Sequence, residues 1–185
     1  MNLSKEEMPV LLQAIETHHK EISSLNIDKS KLATLEILND IKSKLLSERI
    51  EGTDYGSYHV LIVDNAESAR EQLKLLLSTH GFRHMDEADD GHHAIVKIKT
   101  KSMPYGKTIP YDLVLIDLNM PTISGLDVLK LMKKDHKYSK IPFIMITSDK
   151  NKENLIEAMK AGVHDYITKP LDEVNLMLRI NKLLQ

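Results

Sequence analysis

The feature that most constrains the fold is a series of short apolar runs that begins near residue 59. The clearest of these runs are HVLIV at 59–63, YDLVLI at 111–116, PFIMI at 142–146 and DYIT at 165–168. Short continuous apolar runs are typical of strands that are buried on both faces of a parallel sheet. A weaker run, HMDEA at 84–88, supplies a fifth predicted strand.

Helical segments lie between these strands, and local signals mark several of their ends. Two pairs of residues have the spacing of a capping box, Ser68 with Glu71 and Ser124 with Asp127. Gly81 and Gly162 are expected to end two of the helices, because glycine readily adopts the left-handed conformation found at helix C-termini. Strands that alternate with helices in this way predict a doubly wound α/β domain.

Residues 1–51 contain no segment with the pattern of a strand. Apolar residues recur every three or four positions over 11–25 and again over 32–45, which predicts two amphipathic helices in an antiparallel hairpin. The glycines and polar residues of 52–57 predict a linker. The predicted organisation is therefore a helical hairpin at 1–51, a linker at 52–57 and an α/β domain at 58–185.

The apolar faces of the two predicted hairpin helices need a further surface to cover them, since isolated helices of this length are marginal in water. Either the α/β domain or a second copy of the hairpin can supply that surface. We favour the second, a homodimer through residues 1–51 that forms a four-helix bundle, because the linker has the composition of a joint between separate units.

Composition and charge narrow the classes of partner. The formal net charge is −2 for the whole chain and −3 for residues 1–57, which disfavours nucleic acid and gives no attraction to membranes. No apolar run approaches the length of a membrane span, and the N-terminus lacks the apolar core of a signal peptide. Cysteine is absent, which excludes disulfides and thiolate chemistry. We therefore expect a cytoplasmic protein.

Polar residues follow the ends of four predicted strands. They are Asp64 and Asn65 after the first strand, Asp117 after the third, Thr147 after the fourth and Lys169 after the fifth. The carboxyl ends of parallel strands share one edge of the sheet, which is where ligands bind in this class of fold. Oxygen ligands suit Mg²⁺, a carboxylate can attack phosphorus, and a lysine with a hydroxyl can hold phosphoryl oxygens.

The order of these residues resembles that of a response-regulator receiver domain. Further matching motifs are Arg70 in the first helix, DDG at 89–91, DLNMP at 117–121 followed by SG, AG at 161–162 and YITKP at 166–170. The resemblance extends from about 58 to 185, about two-thirds of the chain. It implies a flavodoxin-like fold, with a five-stranded parallel sheet in the order 2-1-3-4-5.

The resemblance also implies a phosphorylation site and a metal site. Asp117 would accept a phosphoryl group from the phosphohistidine of a histidine kinase or phosphotransfer protein. Asp64, Asn65, Asp117 and the backbone carbonyl of Asn119 would hold Mg²⁺. Lys169 would contact the phosphoryl group, and its bond to the following proline is expected to be cis.

The resemblance further implies how the signal is passed on. Thr147 and Tyr166 would be the switch pair, in which the hydroxyl moves to the phosphoryl oxygen and the ring follows inward. Such a protein is not an enzyme beyond its own Mg²⁺-dependent phosphorylation and dephosphorylation. The chain ends just after the fifth predicted helix, so we expect output through the hairpin, through contacts with a downstream protein target, or through both.

Asn65 departs from the usual pattern of the family, which places a second acid after the first strand. Asparagine is a favoured N-cap residue, so we expect Asn65 to open the first helix. Its amide oxygen can still bind Mg²⁺ but brings no charge. We favour a site that still phosphorylates, because Asp117, Thr147 and Lys169 are in place. The alternative is a phosphorylation-independent scaffold or adaptor. A flavodoxin-like cofactor binder is disfavoured, since DNAES at 64–68 is acidic where a phosphate loop is needed.

Two further features are open to more than one interpretation. The adjacent pairs His18–His19 and His92–His93 suggest metal binding, but neighbouring helical residues point about 100° apart, so we expect neither pair to chelate. Residues 99–111, KTKSMPYGKTIPY, make the connection before Asp117 longer than the family usually needs. We predict a surface loop and favour a tolerated insertion over a partner-binding loop.

Overall fold

The computed structural model describes Ile37, residues 54–102 and residues 109–184. The chain divides into two units, Met1–Thr53 and Asp54–Gln185. The predicted hairpin at 1–51 lies outside the described residues apart from Ile37. The hairpin and its dimerisation therefore stay predictions.

Strands and helices alternate along the described part of the second unit. The strands are β1 (His59–Val63), β2 (His84–Ala88), β3 (Leu113–Ile116), β4 (Phe143–Thr147) and β5 (Asp165–Thr168). The helices are α1 (Glu67–Thr79), α2 (Gly91–Thr100), α3 (Gly125–Lys134), α4 (Lys152–Lys160) and α5 (Glu173–Leu184). All five predicted strands are present. Within the described ranges, no helix combines the length and apolar character needed to span a membrane.

The strands form one parallel sheet in the order β2-β1-β3-β4-β5, which confirms the predicted fold class. Val63 at the end of β1 is aligned with Ala88 of β2 and Ile116 of β3, so the carboxyl ends of these strands are level. Every residue of β3 and β4 is buried, as expected where helices cover both faces of a parallel sheet. The weak pattern of β2 is that of an edge strand, in which Ala88 alone is fully buried.

Glycine ends two helices as predicted. Gly81 follows α1 and Gly162 follows α4, and both have a φ of +89°, in the left-handed region. The N–H of Phe82 then bonds back to the carbonyl of Leu77, which is the pattern of a Schellman motif. These turns reverse the chain into the strands that follow.

The two predicted capping boxes have different outcomes. The Ser124 hydroxyl accepts the N–H of Asp127 at 3.1 Å and caps α3 as predicted. The box that begins at Ser68 is wrong, because α1 already starts at Glu67, with Ala66 in the N-cap position and no side-chain cap. Ser68 therefore lies inside the first turn of α1 rather than before it.

The larger apolar residues of α4 do not form its buried face. Leu155, Ile156 and Met159 keep 37%, 52% and 57% of their surface exposed, whereas Ala158 is fully buried. A small residue at the contact brings the helix close to the sheet and leaves the longer side chains around it in solvent. The second unit thus carries an exposed apolar surface on α4.

The end of the predicted linker packs on the α/β domain. Tyr55, in a 3-10 turn before β1, is 1% exposed. Its hydroxyl donates to Asn181 Oδ1 of α5 at 2.9 Å, and its ring stacks on Phe82 with centroids 4.6 Å apart. Tyr55 of the predicted linker is therefore part of the core, and the linker prediction stays a prediction for the rest of 52–57.

Both described ends of the predicted surface loop are tied to β2. Lys101 forms an ion pair with Asp86, and the Tyr111 hydroxyl donates to the same carboxylate at 2.7 Å. Tyr111 is also 1% exposed. The inserted segment therefore leaves and rejoins the domain at fixed points, while residues 103–108 lie outside the described part.

Candidate functional site

Polar residues at four strand ends lie at one edge of the sheet. Asp64 follows β1, Asp117 follows β3, Thr147 is the last residue of β4, and Lys169 follows β5 by one position. These strands are neighbours in that order, so their carboxyl ends share one edge. Asp64 is 2% exposed, Asp117 6% and Thr147 0%, although all three are polar. Buried polar groups need specific partners, and the site supplies them.

Lys169 joins the two carboxylates. Its Nζ donates to Asp64 Oδ2 at 2.7 Å and to Asp117 Oδ1 at 3.1 Å. Its bond to Pro170 is cis, as the resemblance implies. Burial opposes the charged form of this ammonium, but the hydrogen bonds to the two carboxylates outweigh burial and raise the pKa of Lys169. The lysine is therefore held as a cation between two acids.

Asp117 has the properties of an oxygen nucleophile. Burial raises the pKa of the Asp117 carboxyl above its ordinary value, Lys169 opposes that shift, and the charge of Asp64 adds to it. The Asn119 N–H donates to Asp117 Oδ2 at 2.7 Å, so each carboxylate oxygen has one donor. A carboxylate with a raised pKa and unfilled acceptor capacity is a more basic group than one in water, and it is oriented by its two donors.

The loop after β3 holds the backbone of Asp117 in place. The Gly125 N–H bonds to the carbonyl of Leu118 at 3.0 Å. A Cβ atom at position 125 would lie 2.1 Å from the carbonyl oxygen of Asp117, so a residue without a side chain is required there. Thr122 turns the loop with a φ of +69°. Asn119 lies in this loop and is exposed.

The start of α1 is organised by Asp64 and not by Asn65. Asp64 Oδ1 accepts the N–H of Ala66 at 2.9 Å, and Ala66 takes the N-cap position of α1. Asn65 is exposed, and its side chain makes no hydrogen bond to another described residue. The predicted N-cap role of Asn65 is therefore wrong. Its amide lies at the surface directly after a buried carboxylate, where a ligand can reach it.

Thr147 and Tyr166 are connected through the backbone of Asp149. The Asp149 N–H donates to Thr147 Oγ1 at 3.1 Å, and the Tyr166 hydroxyl donates to the Asp149 carbonyl at 3.3 Å. Burial raises the pKa of Tyr166, and the charges of Asp149 and Asp117 raise it further, so the phenol stays protonated. A movement of Thr147 would disturb both bonds, but the switch role of the pair stays a prediction.

The donor set of the site fits a hard divalent cation such as Mg²⁺. Asp64 and Asp117 carry two negative charges against the single positive charge of Lys169, and both carboxylates are buried. Buried charge is costly unless it is paired or bound to a metal, so an excess carboxylate favours a cation. The Asn65 amide and the Asn119 carbonyl are neutral oxygens on the same two chain segments, and Mg²⁺ prefers oxygen ligands.

Arg70 and Glu87 support the site in a way that the sequence did not show. Arg70 Nη1 donates to the backbone carbonyl of Asp64 at 2.8 Å, and Arg70 Nε pairs with Glu87 at 3.3 Å. Lys74 pairs with the same carboxylate. The motif match identified Arg70 but not its partner, because Glu87 lies on β2 and reaches Arg70 only through the pairing of β1 with β2.

Known proteins share this sequence pattern. The family model for the response regulator receiver domain matches residues 60–181. Chemotaxis protein CheY-3 of Vibrio cholerae is 36% identical over 126 residues, which cover 68% of this chain and 91% of that protein. Chemotaxis protein CheY of Pseudomonas aeruginosa is 32% identical over 126 residues, which cover 68% of this chain and 95% of that protein.

Solved structures share the fold. A response regulator receiver protein from Pseudomonas putida aligns with a TM-score of 0.60 at 27% identity, over 68% of this chain and 96% of its own. The receiver domain of the Francisella response regulator 1452 aligns with a TM-score of 0.59 at 30% identity, over 69% of this chain and 97% of its own. With the family model matching about two-thirds of its length, the chain belongs to the response regulator receiver domain family.

Proposed function

We propose that this chain is a response regulator that accepts a phosphoryl group on Asp117 from the phosphohistidine of a histidine kinase or phosphotransfer protein. The observation that carries the proposal is the position of Lys169, whose ammonium contacts the buried Asp117 and Asp64 together. An Asp117 carboxylate oxygen forms the new bond to phosphorus while the phosphorus–nitrogen bond of the donor breaks. The imidazole nitrogen keeps the electron pair of that bond, so atoms and charge balance.

The residues around Asp117 are placed to position and neutralise the transferred group. Lys169 offers a cation to the phosphoryl oxygens, and the Thr147 hydroxyl lies at the next strand end. Asp64, Asn65, Asp117 and the carbonyl of Asn119 would hold Mg²⁺, which supplies further charge neutralisation when bound. Phosphoryl transfer depends mainly on such positioning and charge neutralisation, which Lys169, Thr147 and a bound Mg²⁺ would supply here.

The response would reach a downstream protein target through α4. Thr147 is hydrogen-bonded to Asp149, and α4 begins at Lys152, so a shift of the hydroxyl toward a phosphoryl oxygen moves the segment that enters this helix. The exposed Leu155 and Ile156 give α4 an apolar surface that a protein partner can cover.

A phosphorylation-independent scaffold or adaptor is the second candidate function. Asn65 favours it, because the exposed amide adds no charge to the metal site and Mg²⁺ binding weakens with each missing carboxylate. The intact Asp117, Thr147 and Lys169 favour phosphorylation.

Intact-protein mass spectrometry separates the two candidates. Wild type incubated with Mg²⁺ and acetyl phosphate should gain one phosphoryl mass that is lost in alkali, and Asp117→Ala should gain none. Asp127→Asn, which changes an exposed carboxylate elsewhere, should be labelled like wild type. If wild type gains no mass with acetyl phosphate or with a competent kinase, phosphorylation of Asp117 is contradicted and the scaffold function is favoured.

We also propose that residues 1–51 form a homodimer. The support is the pair of apolar seams in the sequence, which two short helices cannot bury between themselves. Leu38→Glu combined with Ile41→Glu should give a monomer whose receiver domain remains folded. Light scattering that shows a monomer for the wild type at tens of micromolar would contradict the dimer.

A further inference from the structure

We propose that Asp90, His92 and His93 form a second metal site, for a transition ion of the Zn²⁺ class, at the start of α2. One ligand atom from each residue, a carboxylate oxygen and two imidazole nitrogens, lies within 4.8 Å of the others. The site shares no ligand with the Mg²⁺ pocket and does not depend on the phosphorylation proposed above.

The geometry of the helix start brings the three side chains together. Asp90 is the N-cap of α2, and its carboxylate accepts the N–H of His93 at 2.6 Å. Side chains in a helix lean toward its N-terminus, so both imidazoles lean toward the cap, with ring centroids 6.0 Å apart. The proposed site thus departs from the expectation that His92 and His93 do not chelate, because one ligand atom of Asp90 lies within 4.8 Å of a ring nitrogen of each histidine.

The backbone that carries the cluster is held in place by its surroundings. A Cβ atom at Gly91 would lie 2.4 Å from the carbonyl oxygen of Ile123, so the turn packs directly on the loop that follows β3. Two ligands come from adjacent residues and the third from the cap of the same helix. An ion binding here therefore has to order side chains and not the main chain, which lowers the entropic cost of binding.

The ligand types select the class of ion. Two imidazoles with one carboxylate suit Zn²⁺, Ni²⁺ or Cu²⁺, whereas Mg²⁺ and Ca²⁺ prefer oxygen ligands throughout. In a tetrahedral zinc site the ligand atoms lie about 3.3 Å apart, so the side chains must close in on the ion. His92 and His93 are exposed and Asp90 is half-buried, which leaves the His92 ring free to turn toward an ion and a fourth position open to water.

Asp89 acts as a positioning residue. Its carboxylate is hydrogen-bonded to His93 Nδ1, which also lies 3.7 Å from Asp90 Oδ1, so Nε2 would be the nitrogen of that ring that binds the ion. A carboxylate behind a ligating histidine orients the ring and raises its basicity. The positive end of the α2 dipole opposes a cation at this place, but the negative charges of Asp89 and Asp90 offset it.

Calorimetric titration of the full-length protein with Zn²⁺, in excess Mg²⁺ to occupy the other site, tests the proposal. Wild type should bind one ion at the cluster. His92→Gln, His93→Gln and Asp90→Asn should each weaken that binding at least about tenfold, and Asp89→Asn by about tenfold. Asparagine is itself a good N-cap, so Asp90→Asn removes the charge while the helix start is retained.

Matched controls distinguish this site from the others in the chain. The double variant His18→Gln/His19→Gln, which removes the other adjacent pair, and His136→Gln, which removes an exposed histidine elsewhere, should bind Zn²⁺ like wild type. Asp117→Ala should also keep this binding, whereas His92→Gln should keep phosphorylation if that function is correct.

Electron paramagnetic resonance with Cu²⁺ as the probe reports the ligands directly and should show coupling to two imidazole nitrogens. Zn²⁺ affinity that is unchanged in the three ligand variants would overturn the proposal. Loss of the binding in Asp117→Ala or in the His18/His19 variant would do so as well, because the ion would then lie elsewhere.

Discussion

Replacing Lys169 with methionine should destabilise the protein by about 3 kcal/mol at neutral pH, because two buried carboxylates would lose their shared cation. The ammonium lies 2.7 Å from Asp64 and 3.1 Å from Asp117, and these acids are 2% and 6% exposed. Removing one partner of a buried ion pair costs about 3–5 kcal/mol. We expect the lower end of that range, since the Lys169 side chain is 27% exposed and water solvates part of its charge.

The loss of stability in Lys169→Met should depend on pH. Burial raises the pKa of Asp117 above 3.8 and Lys169 opposes that shift, so removing the lysine raises the pKa further. A carboxyl group with a raised pKa binds its proton more tightly in the folded than in the unfolded chain. Its contribution to stability is then largest below its unfolded pKa and is lost as pH rises through the folded pKa. Lys169→Met should therefore differ from wild type more at pH 7 than at pH 4.

Urea denaturation followed by circular dichroism at these two pH values measures the effect. Lys133→Met is the matched control, because the Lys133 ammonium donates to the carbonyls of Ser139 and Ile141 at 2.7 and 3.0 Å rather than to carboxylates. The loss of stability in Lys133→Met should vary little between pH 4 and pH 7. Mg²⁺ should stabilise Lys169→Met more than wild type, because the ion would replace the lost ammonium beside the two acids.

Equal losses of stability for Lys169→Met at pH 4 and pH 7 would refute the reasoning, since protonation at the lower pH must relieve the cost of burying carboxylates without a cation. A loss well below about 1 kcal/mol at pH 7 would do the same, because it would match an exposed ion pair and not a buried one.

Four further substitutions test other parts of the structure. Asn65→Asp should tighten Mg²⁺ binding by on the order of 1 kcal/mol, because it adds a charge beside the two buried carboxylates; equal affinities in a metal titration would contradict this. Ser124→Ala should lower the free energy of unfolding by about 1 kcal/mol, because α3 loses its cap, while Ser68→Ala should be nearly neutral. If thermal unfolding shows comparable losses of stability for the two variants, the assigned helix starts are contradicted. Tyr55→Phe should lower the free energy of unfolding by about 1–3 kcal/mol in urea denaturation, because the buried Asn181 side chain loses its hydrogen-bond donor. A loss of only a few tenths of a kcal/mol would show that water replaces the Tyr55 hydroxyl.

Local patterns were enough to predict the elements of the α/β domain. Apolar runs such as HVLIV, rich in β-branched residues and bounded by polar ones, predict a strand from their own composition. A left-handed glycine such as Gly81 or Gly162 ends a helix within a single turn. The strand ends then supplied Asp64 and Asp117 as candidates, because parallel strands present their carboxyl ends at one edge. These inferences succeed because each depends on only a few neighbouring residues.

The partners of the site residues could not be predicted in this way. The Tyr55 hydroxyl is hydrogen-bonded to Asn181, which lies near the other end of the domain's sequence. Arg70 contacts Glu87 only because β2 pairs with β1. The composition of 52–57 suggested a joint, but Tyr55 is a core residue because the fold places Phe82 and Asn181 beside it. Contact energies of this kind depend on what the fold places opposite a side chain.

Local signals also compete, and the sequence alone does not show which will prevail. Asn65 and Ser68 both have the chemistry of a cap, yet α1 starts at Glu67 because the Asp64 carboxylate takes the N–H of Ala66. His92 and His93 point about 100° apart in a helix, yet at the N-terminus of α2 a ligand atom of each lies within 4.8 Å of the other and of Asp90. The sequence determined which chemical groups are present and on which elements they lie. Tertiary structure decided which of them share a partner, because hydrogen bonds and ion pairs depend on distances between segments that local spacing leaves undetermined.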